Sequence, residues 1–238
     1  MRVRSYRLEK ARQTNLGGRL WEVFDESSGT WRELRAAHTA DAPAGMPEMY
    51  RRQAQGAAAI FHPGVVPLYD FGEVTLDEAG ECQGALLAGD VFWVSSPVAG
   101  GQTLQTCMER LEWPHFRQVL LRILEALAFG HARGVVHRRL SPELVRVGLG
   151  EDDAVKAVQL LEFGLLPPRR LDGQQSVSSA YQAPEVAQGR WREQGAWSDI
   201  YSVGVITFRW LYGRLPVGDQ GRPSRGEQHH FVPSGFAS

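Results

Sequence analysis

Lysine is nearly absent from this chain of 238 residues, which has 26 basic and 27 acidic residues. Only Lys10 and Lys156 are lysines, and the remaining basic residues are all arginines. Lysine is a compact point charge that can sit on a phosphate, whereas the arginine guanidinium is a planar fork. Any chemistry that requires a lysine must therefore use one of these two residues.

Four segments combine polar side chains with glycine or proline in a distinctive order. They are residues 62–72 (HPGVVPLYDFG), 134–144 (GVVHRRLSPEL), 161–164 (LEFG), and 181–185 (YQAPE) followed by 198–204 (SDIYSVG). In this order and at this spacing, they resemble a Hanks-type (eukaryotic-like) Ser/Thr protein kinase domain. The resemblance covers about residues 6–216. It implies a two-lobed α+β fold with a β-rich N-lobe and a mainly helical, shortened C-lobe.

Phosphoryl transfer depends on holding phosphates in place and neutralising their charge. The resemblance places the glycine-rich phosphate loop at residues 13–18, where only Gly18 occupies a family glycine position. An ordinary β-turn is an equally open reading of this stretch. The phosphate-binding lysine falls on Arg35 and its glutamate partner on Gln53. Arginine does not reproduce the geometry of lysine, and a neutral glutamine forms no ion pair.

The segment that resembles the catalytic loop departs furthest from the family. Arg139 stands where kinases have the aspartate that accepts the substrate proton, and arginine cannot act as a base. Ser141 replaces the loop lysine, and Leu144 replaces the asparagine that holds a second Mg²⁺. Leucine offers no oxygen to a hard cation. Glu162 replaces the metal-binding aspartate, so it is either a metal ligand with shifted geometry or an ordinary hydrogen-bonded glutamate.

These changes predict a catalytically inactive kinase-like domain, a pseudokinase, that serves as a scaffold or regulatory protein-binding module. We expect no bound cofactor and no metal. The alternative is an atypical Ser/Thr kinase or ATP-binding domain that uses ATP and Mg²⁺, with Lys10 as the phosphate-binding lysine. Gly18, Arg35 and Glu162 would then be the remaining candidates for cofactor contacts. A third hypothesis is a degenerate fragment that folds only beside another polypeptide.

The elements that must position these residues follow from periodicity and turn chemistry. Strands are predicted at residues 6–12, 20–24, 30–37, 64–70 and 91–95, and a loop is predicted at 73–90. A helix should open at Pro47 and end before His62. Further helices are predicted at 102–111 and from Pro114 onwards, and short strands within 135–165.

A last helix should span residues 200–212 after Asp199 and end at Gly213. Apolar residues occupy nearly every face of this helix, which predicts that the helix is buried. We therefore divide the chain into an N-lobe (1–95), a hinge (96–101), a C-lobe (102–216) and an irregular tail (217–238). The helices that follow the Asp199 helix in the family are missing, so a protein partner or the tail should cover residues 199–212.

The composition of the chain argues against several other classes of function. The chain is 43% hydrophobic and has a net charge of −1, which supports a folded core and gives no argument for nucleic-acid binding. No stretch approaches the roughly 20 apolar residues of a membrane span, so no membrane partner is expected. The two cysteines, Cys82 and Cys107, do not form a disulfide framework or a zinc site. A reduced, cytoplasmic setting is therefore expected.

Overall fold

Antiparallel strands form the first layer of the fold in this computed structural model. The structure describes residues 1–12, 19–37, 52, 54–83, 85–95, 101–165 and 180–216. The strands are β1 (Arg2–Val3), β2 (Tyr6–Arg12), β3 (Arg19–Asp25), β4 (Thr30–Ala37), β5 (Leu68–Glu73) and β6 (Val91–Ser95). They lie in the order β1-β2-β3-β4-β6-β5. This sheet is the predicted β-rich N-lobe, and β2, β4 and β6 have the predicted bounds.

The strand predicted at 64–70 is shifted towards the C-terminus. Residues 64–66 pair instead with the end of a C-lobe strand, where the Val66 N–H donates to the Leu160 carbonyl at 2.9 Å. The Leu160 N–H in turn donates to the Gly64 carbonyl at 2.8 Å. The backbone of this segment is thus used to join the two lobes, and β5 begins only at Leu68.

The loop predicted at 73–90 was wrong, because it contains helix α1 (Leu76–Glu81). Thr75 Oγ1 accepts from the Glu78 N–H at 3.2 Å, and the Thr75 N–H donates to Glu78 Oε2 at 2.8 Å. This reciprocal capping box satisfies two of the unpaired donors at the helix N-terminus. The high content of glycine and acidic residues obscured a signature that was present in the sequence.

The helix predicted before His62 is observed at residues 54–58, where Ala54 and Ala57 are buried. Its predicted start at Pro47, together with Gln53, lies outside the described residues.

Helices and a small sheet form the C-lobe. The elements are β7 (Gln102–Thr103), α2 (Leu104–Cys107), α3 (Trp113–His131), β8 (Val145–Leu149), β9 (Val155–Leu160), α4 (Pro184–Ala187) and α5 (Ala196–Tyr212). Helix α2 is shorter than predicted because residues 102–103 pair with β8. Helix α3 buries one face through Phe116, Val119 and Ile123. Trp210 of α5 stacks on Phe116 with ring centroids 4.3 Å apart.

Helix α5 ends at Gly213 as predicted, with a left-handed φ of 66° that suits glycine. It begins earlier than predicted, at Ala196. The expectation of burial all round was wrong: Val205 and Ile206 are buried, but Trp197 and Ile200 are 63% and 50% exposed. Among the described residues, no helix is both long and apolar enough to span a bilayer.

Candidate functional site

Asp199 fixes the segment that resembles the catalytic loop. Its fully buried carboxylate accepts the N–H of His137 at 2.8 Å and the N–H of Arg138 at 2.7 Å. His131 Nε2 lies 2.7 Å from the same carboxylate. A buried carboxylate requires such partners, since an unpaired one would cost several kcal/mol. The contacts hold Arg138 at a left-handed φ of 67° and set the direction of the residues that follow.

His137 connects this loop to the segment that contains Glu162. Its ring lies 5.2 Å from the ring of Phe163, and its Nδ1 accepts the N–H of Arg139 at 3.4 Å. Burial lowers the pKa of His137, because the charged form loses its hydration, although Asp199 opposes this shift. The imidazole is therefore neutral at pH 7 and acts as a packing and hydrogen-bonding group.

Glu162 carries its carboxylate into the space between the lobes from a left-handed backbone, with φ at 54°. Arg35 Nη1, from β4 of the N-lobe, lies 2.9 Å from Glu162 Oε1. Arg139 Nη1, from the C-lobe loop, lies 3.1 Å from Glu162 Oε2 and donates a hydrogen bond to it. The side chains of Arg35, Glu162 and Arg139 are only 8%, 4% and 7% exposed. We call these three residues the Arg–Glu–Arg triad.

The triad unites three of the positions that the sequence singled out as changed. Each oxygen of Glu162 faces its own guanidinium, so the negative charge of this carboxylate is already compensated within the protein. Sequence reasoning considered the three positions separately and missed their contact. Charge complementarity is the signal that could have predicted this contact. Relative to the kinase family, position 35 stays cationic, position 139 becomes cationic, and position 162 keeps a carboxylate.

The residues at the family's metal position do not fit a divalent cation. Mg²⁺ prefers oxygen ligands in octahedral geometry, and the Glu162 carboxylate at this position already lies within ion-pair distance of two arginines. Leu144 is fully buried and packs in an apolar cluster with Val66 and Leu161, so it supplies packing where a ligand would be needed. Within the described ranges, no group of three or more His, Cys, Asp or Glu side chains could hold a metal ion.

Ser141 and Glu143 lie beside the triad in the same loop. Among the described residues, neither Ser141 Oγ nor Glu143 Oε2 has a hydrogen-bond partner. Burial raises the pKa of the Glu143 carboxyl, and Arg209 and Arg139 oppose that shift. Arg209 also donates to the Tyr181 hydroxyl, and to Gln105 at 2.9 Å. The hydrogen bonds of Arg209 tie α5 to α2 and to Tyr181, and its positive charge faces Glu143 of the loop.

The described residues leave a small cavity next to the triad. Arg35 and Glu162 line a cavity of about 20 Å³, together with Trp93, Ser95 and Phe163. A cavity of this volume holds about one water molecule. The glycine loop at 13–18, including Gly18, and residues 96–100 of the hinge lie outside the described residues.

Lys10 does not join the triad. It lies on β2 with an exposed side chain, and its cross-strand neighbour on β3 is Glu22. Within the described part of the chain, the cations within ion-pair distance of Glu162 are Arg35 and Arg139. The position of Lys10 therefore does not favour a phosphate-binding role between the lobes.

Glu185 has a local partner on α5. In the kinase family, the matching glutamate pairs with an arginine from helices that follow the Asp199 helix. Here Glu185 Oε1 accepts the Ser198 hydroxyl at 2.6 Å, and this hydrogen bond lowers the pKa of Glu185. The short α4 is thereby fastened to the start of α5 within the described residues.

Comparison with known proteins shows the family of the chain. The protein kinase domain family model matches residues 39–232. The serine/threonine-protein kinase pkn2 of Myxococcus xanthus is 32% identical over 189 residues, which are 75% of this chain and 21% of that protein. The serine/threonine-protein kinase PknA of Mycobacterium tuberculosis is 26% identical over 96% of this chain and 51% of its own length. The chain thus spans about half or less of these relatives.

Solved structures show the same fold. The kinase domain of PknI from Mycobacterium tuberculosis superposes with a TM-score of 0.69 at 21% identity, covering 91% of this chain and 78% of that one. A second structure of the same domain gives a TM-score of 0.66 over 90% of this chain and 74% of that one. The predicted two-lobed kinase fold is confirmed, and the chain belongs to the protein kinase domain family, in its Hanks-type Ser/Thr branch.

Proposed function

We propose that this domain is a catalytically inactive member of its family, a pseudokinase that acts as a scaffold or regulatory protein-binding module. The observation that carries the proposal is the Arg–Glu–Arg triad. It places two arginines and a compensated carboxylate where phosphoryl transfer requires a lysine, a base and a metal ligand.

The missing groups serve different steps of the same transfer. Arg139 cannot accept a proton from a substrate hydroxyl, and Leu144 cannot coordinate a cation. Removing a single transition-state contact commonly lowers kcat by about 10²–10³-fold. Loss of the base, the phosphate-binding lysine, its glutamate partner and the asparagine ligand together is therefore expected to leave no useful rate. No ATP or Mg²⁺ is expected to bind the wild-type site.

Helix α5 offers the surface for a protein partner. Trp197, Ile200 and Tyr201 are exposed and share one face of α5 by their spacing of three and four residues. Trp191 in the preceding segment is also partly exposed. Scattered apolar residues are normal on a protein surface, but contiguous aromatic groups are typical of interaction sites. We propose this face as the partner contact, and it extends the partner surface expected at residues 199–212 to include Trp197 and Trp191.

A thermal-shift titration with ATP tests the nucleotide part of the proposal, in the presence and absence of Mg²⁺ or Mn²⁺. A ligand at about 100 times its Kd stabilises the folded state by about 2.7 kcal/mol, so binding would be seen clearly. We expect no shift of the melting temperature with either metal. A clear rise of the melting temperature on addition of ATP would overturn the prediction that no nucleotide binds.

A further inference from the structure

We propose that two copies of this domain associate through α5, with the two helices crossing antiparallel at Gly204. The inference rests on the proposed function, which puts a protein contact on this helix, and it names the partner as a second copy of the same chain. Interfaces between identical subunits are more apolar than most other protein contacts. A helix face that joins two copies should therefore be apolar and should match itself.

The outer side of α5 is apolar along its whole length. Its inner side packs into the domain through the buried Val205 and Ile206. Residues three and four positions apart share one face of a helix, and by this spacing the outer residues form a single stripe. This α5 stripe consists of Trp197, Ile200, Tyr201, Gly204, Phe208, Leu211 and Tyr212, each of them at least partly exposed.

The α5 stripe carries no charge, and the structure describes this helix throughout. The two charged residues of α5 both face the interior. Asp199 is fully buried, and Arg209 donates to Gln105 at 2.9 Å and to the Tyr181 hydroxyl. Two stripes that face each other would therefore bury no charge and would meet no like-charge repulsion.

Gly204 lies exposed in the middle of the α5 stripe. A Cβ placed on it would have no atom of the described residues within 4 Å, so packing inside the domain does not require a glycine here. Glycine is also unfavourable within a helix. The missing side chain leaves a notch between Ile200 and Phe208, where the backbone of a second helix can approach closely.

The α5 stripe is similar in both directions from Gly204. Ile200 and Phe208 lie equally far from this glycine along the helix, and so do Trp197 and Leu211. A twofold axis at Gly204 would thus place each of these apolar residues against an apolar residue of the other copy. Such a contact uses the same surface on both subunits and closes after two copies.

The C-terminal residues of the chain offer a poorer cover for the α5 stripe, which is about 22 Å long at 1.5 Å per residue. Residues 218–230 contain no Ala, Val, Leu, Ile, Met, Phe, Trp or Tyr. A segment of this composition cannot line an apolar stripe over its full length. A second copy supplies an apolar surface of the same length.

The test is sedimentation velocity of the full chain over about a hundredfold range of protein concentration, with thermal unfolding of the same samples. Wild type should pass from monomer to dimer, and its melting temperature should rise with concentration, because association stabilises the folded state. Gly204→Leu should weaken the dimer by about tenfold or more, since its side chain fills the notch and keeps the helices apart. Its monomer should be at least as stable as wild type, because leucine favours a helix.

Two exposed aliphatic residues provide a matched pair of variants. Ile200 lies in the α5 stripe and is 50% exposed, whereas Leu121 lies on α3 and is 48% exposed. Ile200→Ser should weaken the dimer. Leu121→Ser removes a similar apolar side chain outside the stripe and should dimerise as wild type does.

Three results would overturn the inference: a wild type that stays monomeric at every concentration, a Gly204→Leu variant that dimerises as wild type does, or equal weakening by Leu121→Ser and Ile200→Ser. The second and third would show that general apolar stickiness, and not the α5 stripe, joins the copies. Each would leave the proposal of an inactive domain standing, since that proposal depends on the triad. Phosphate transfer from ATP by wild type would overturn the proposed function whatever its oligomeric state.

Discussion

At the residue scale, the changes at positions 35, 139 and 162 can be understood together only from the contacts between their side chains. Along the sequence, Arg35, Arg139 and Glu162 are three separate departures from the kinase pattern. The family resemblance predicts where each backbone lies, and so predicts that these positions are neighbours in a kinase fold. It does not predict that both arginines contact the two oxygens of one carboxylate, because that depends on side-chain length and rotamer.

Restoring the family residue at position 139 should not restore activity. Arg139→Asp would place a second carboxylate beside Glu162 with only Arg35 to compensate both. We expect no detectable phosphate transfer and a free energy of unfolding reduced by about 3–5 kcal/mol, as when a buried ion pair is broken. Urea unfolding and a radiolabelled ATP transfer assay would measure these effects.

Arg139→Gln is the control, because it removes the cation without adding a carboxylate. It should lose less stability than Arg139→Asp, since the Arg35–Glu162 ion pair persists. An Arg139→Asp variant that is as stable as wild type and transfers phosphate would contradict the account of the triad.

The buried His137 should make stability depend on pH. Burial lowers its pKa in the folded state below the ordinary value of about 6.5. Below that pH, the unfolded chain binds a proton that the folded chain binds less readily, so the free energy of unfolding falls as the pH falls. His137→Gln does not titrate and should flatten this dependence as the pH falls below about 6.5.

Urea unfolding of wild type and His137→Gln at several pH values measures this effect. An unchanged slope in His137→Gln would show that the buried imidazole is not the group responsible.

At the element scale, local patterns predicted strands better than they predicted burial. The strands β2, β4 and β6 have their predicted bounds because apolar residues and a Ser–Gly turn mark their faces and ends. The turn itself is held by Asp25, whose carboxylate accepts hydrogen bonds from Ser27 and Ser28. Helix α5 was predicted at nearly the right place, but its exposure depends on what packs against it, which hydropathy alone does not specify.

Two isoleucines on α5 separate the stability role of this helix from its proposed binding role. Ile206 is fully buried and Ile200 is half exposed. Ile206→Ala should reduce the free energy of unfolding by about 2–5 kcal/mol, because it removes buried methyl groups and leaves a cavity. Ile200→Ser should change it by less than about 0.5 kcal/mol, as for most surface substitutions.

Denaturant unfolding of both variants checks this contrast, and Ile200→Ser should in addition weaken association with any partner that docks on α5. A large loss of stability in Ile200→Ser would show that its side chain serves the fold of the domain itself, and would remove the basis for a docking face at this position.

At the scale of the whole molecule, the two lobes are joined by the triad and by backbone hydrogen bonds close to it. Arg35 reaches Glu162 across the cleft, and the backbone of residues 64–66 pairs with Leu160 nearby. Active kinases need the cleft to admit a nucleotide and metal between the lobes. Among the described residues, the Glu162 carboxylate lies between the lobes with Arg35 on one side and Arg139 on the other, which supports the proposal of an inactive domain.

The most direct test of the central claim is a phosphate-transfer assay on purified wild-type protein. It uses radiolabelled ATP with Mg²⁺ or Mn²⁺, a basic protein as acceptor and an active kinase as positive control. The account predicts no label in the acceptor or in the domain itself above the no-enzyme background. Transfer by wild type that disappears in the Glu162→Gln variant would contradict it, because the activity would then belong to this site.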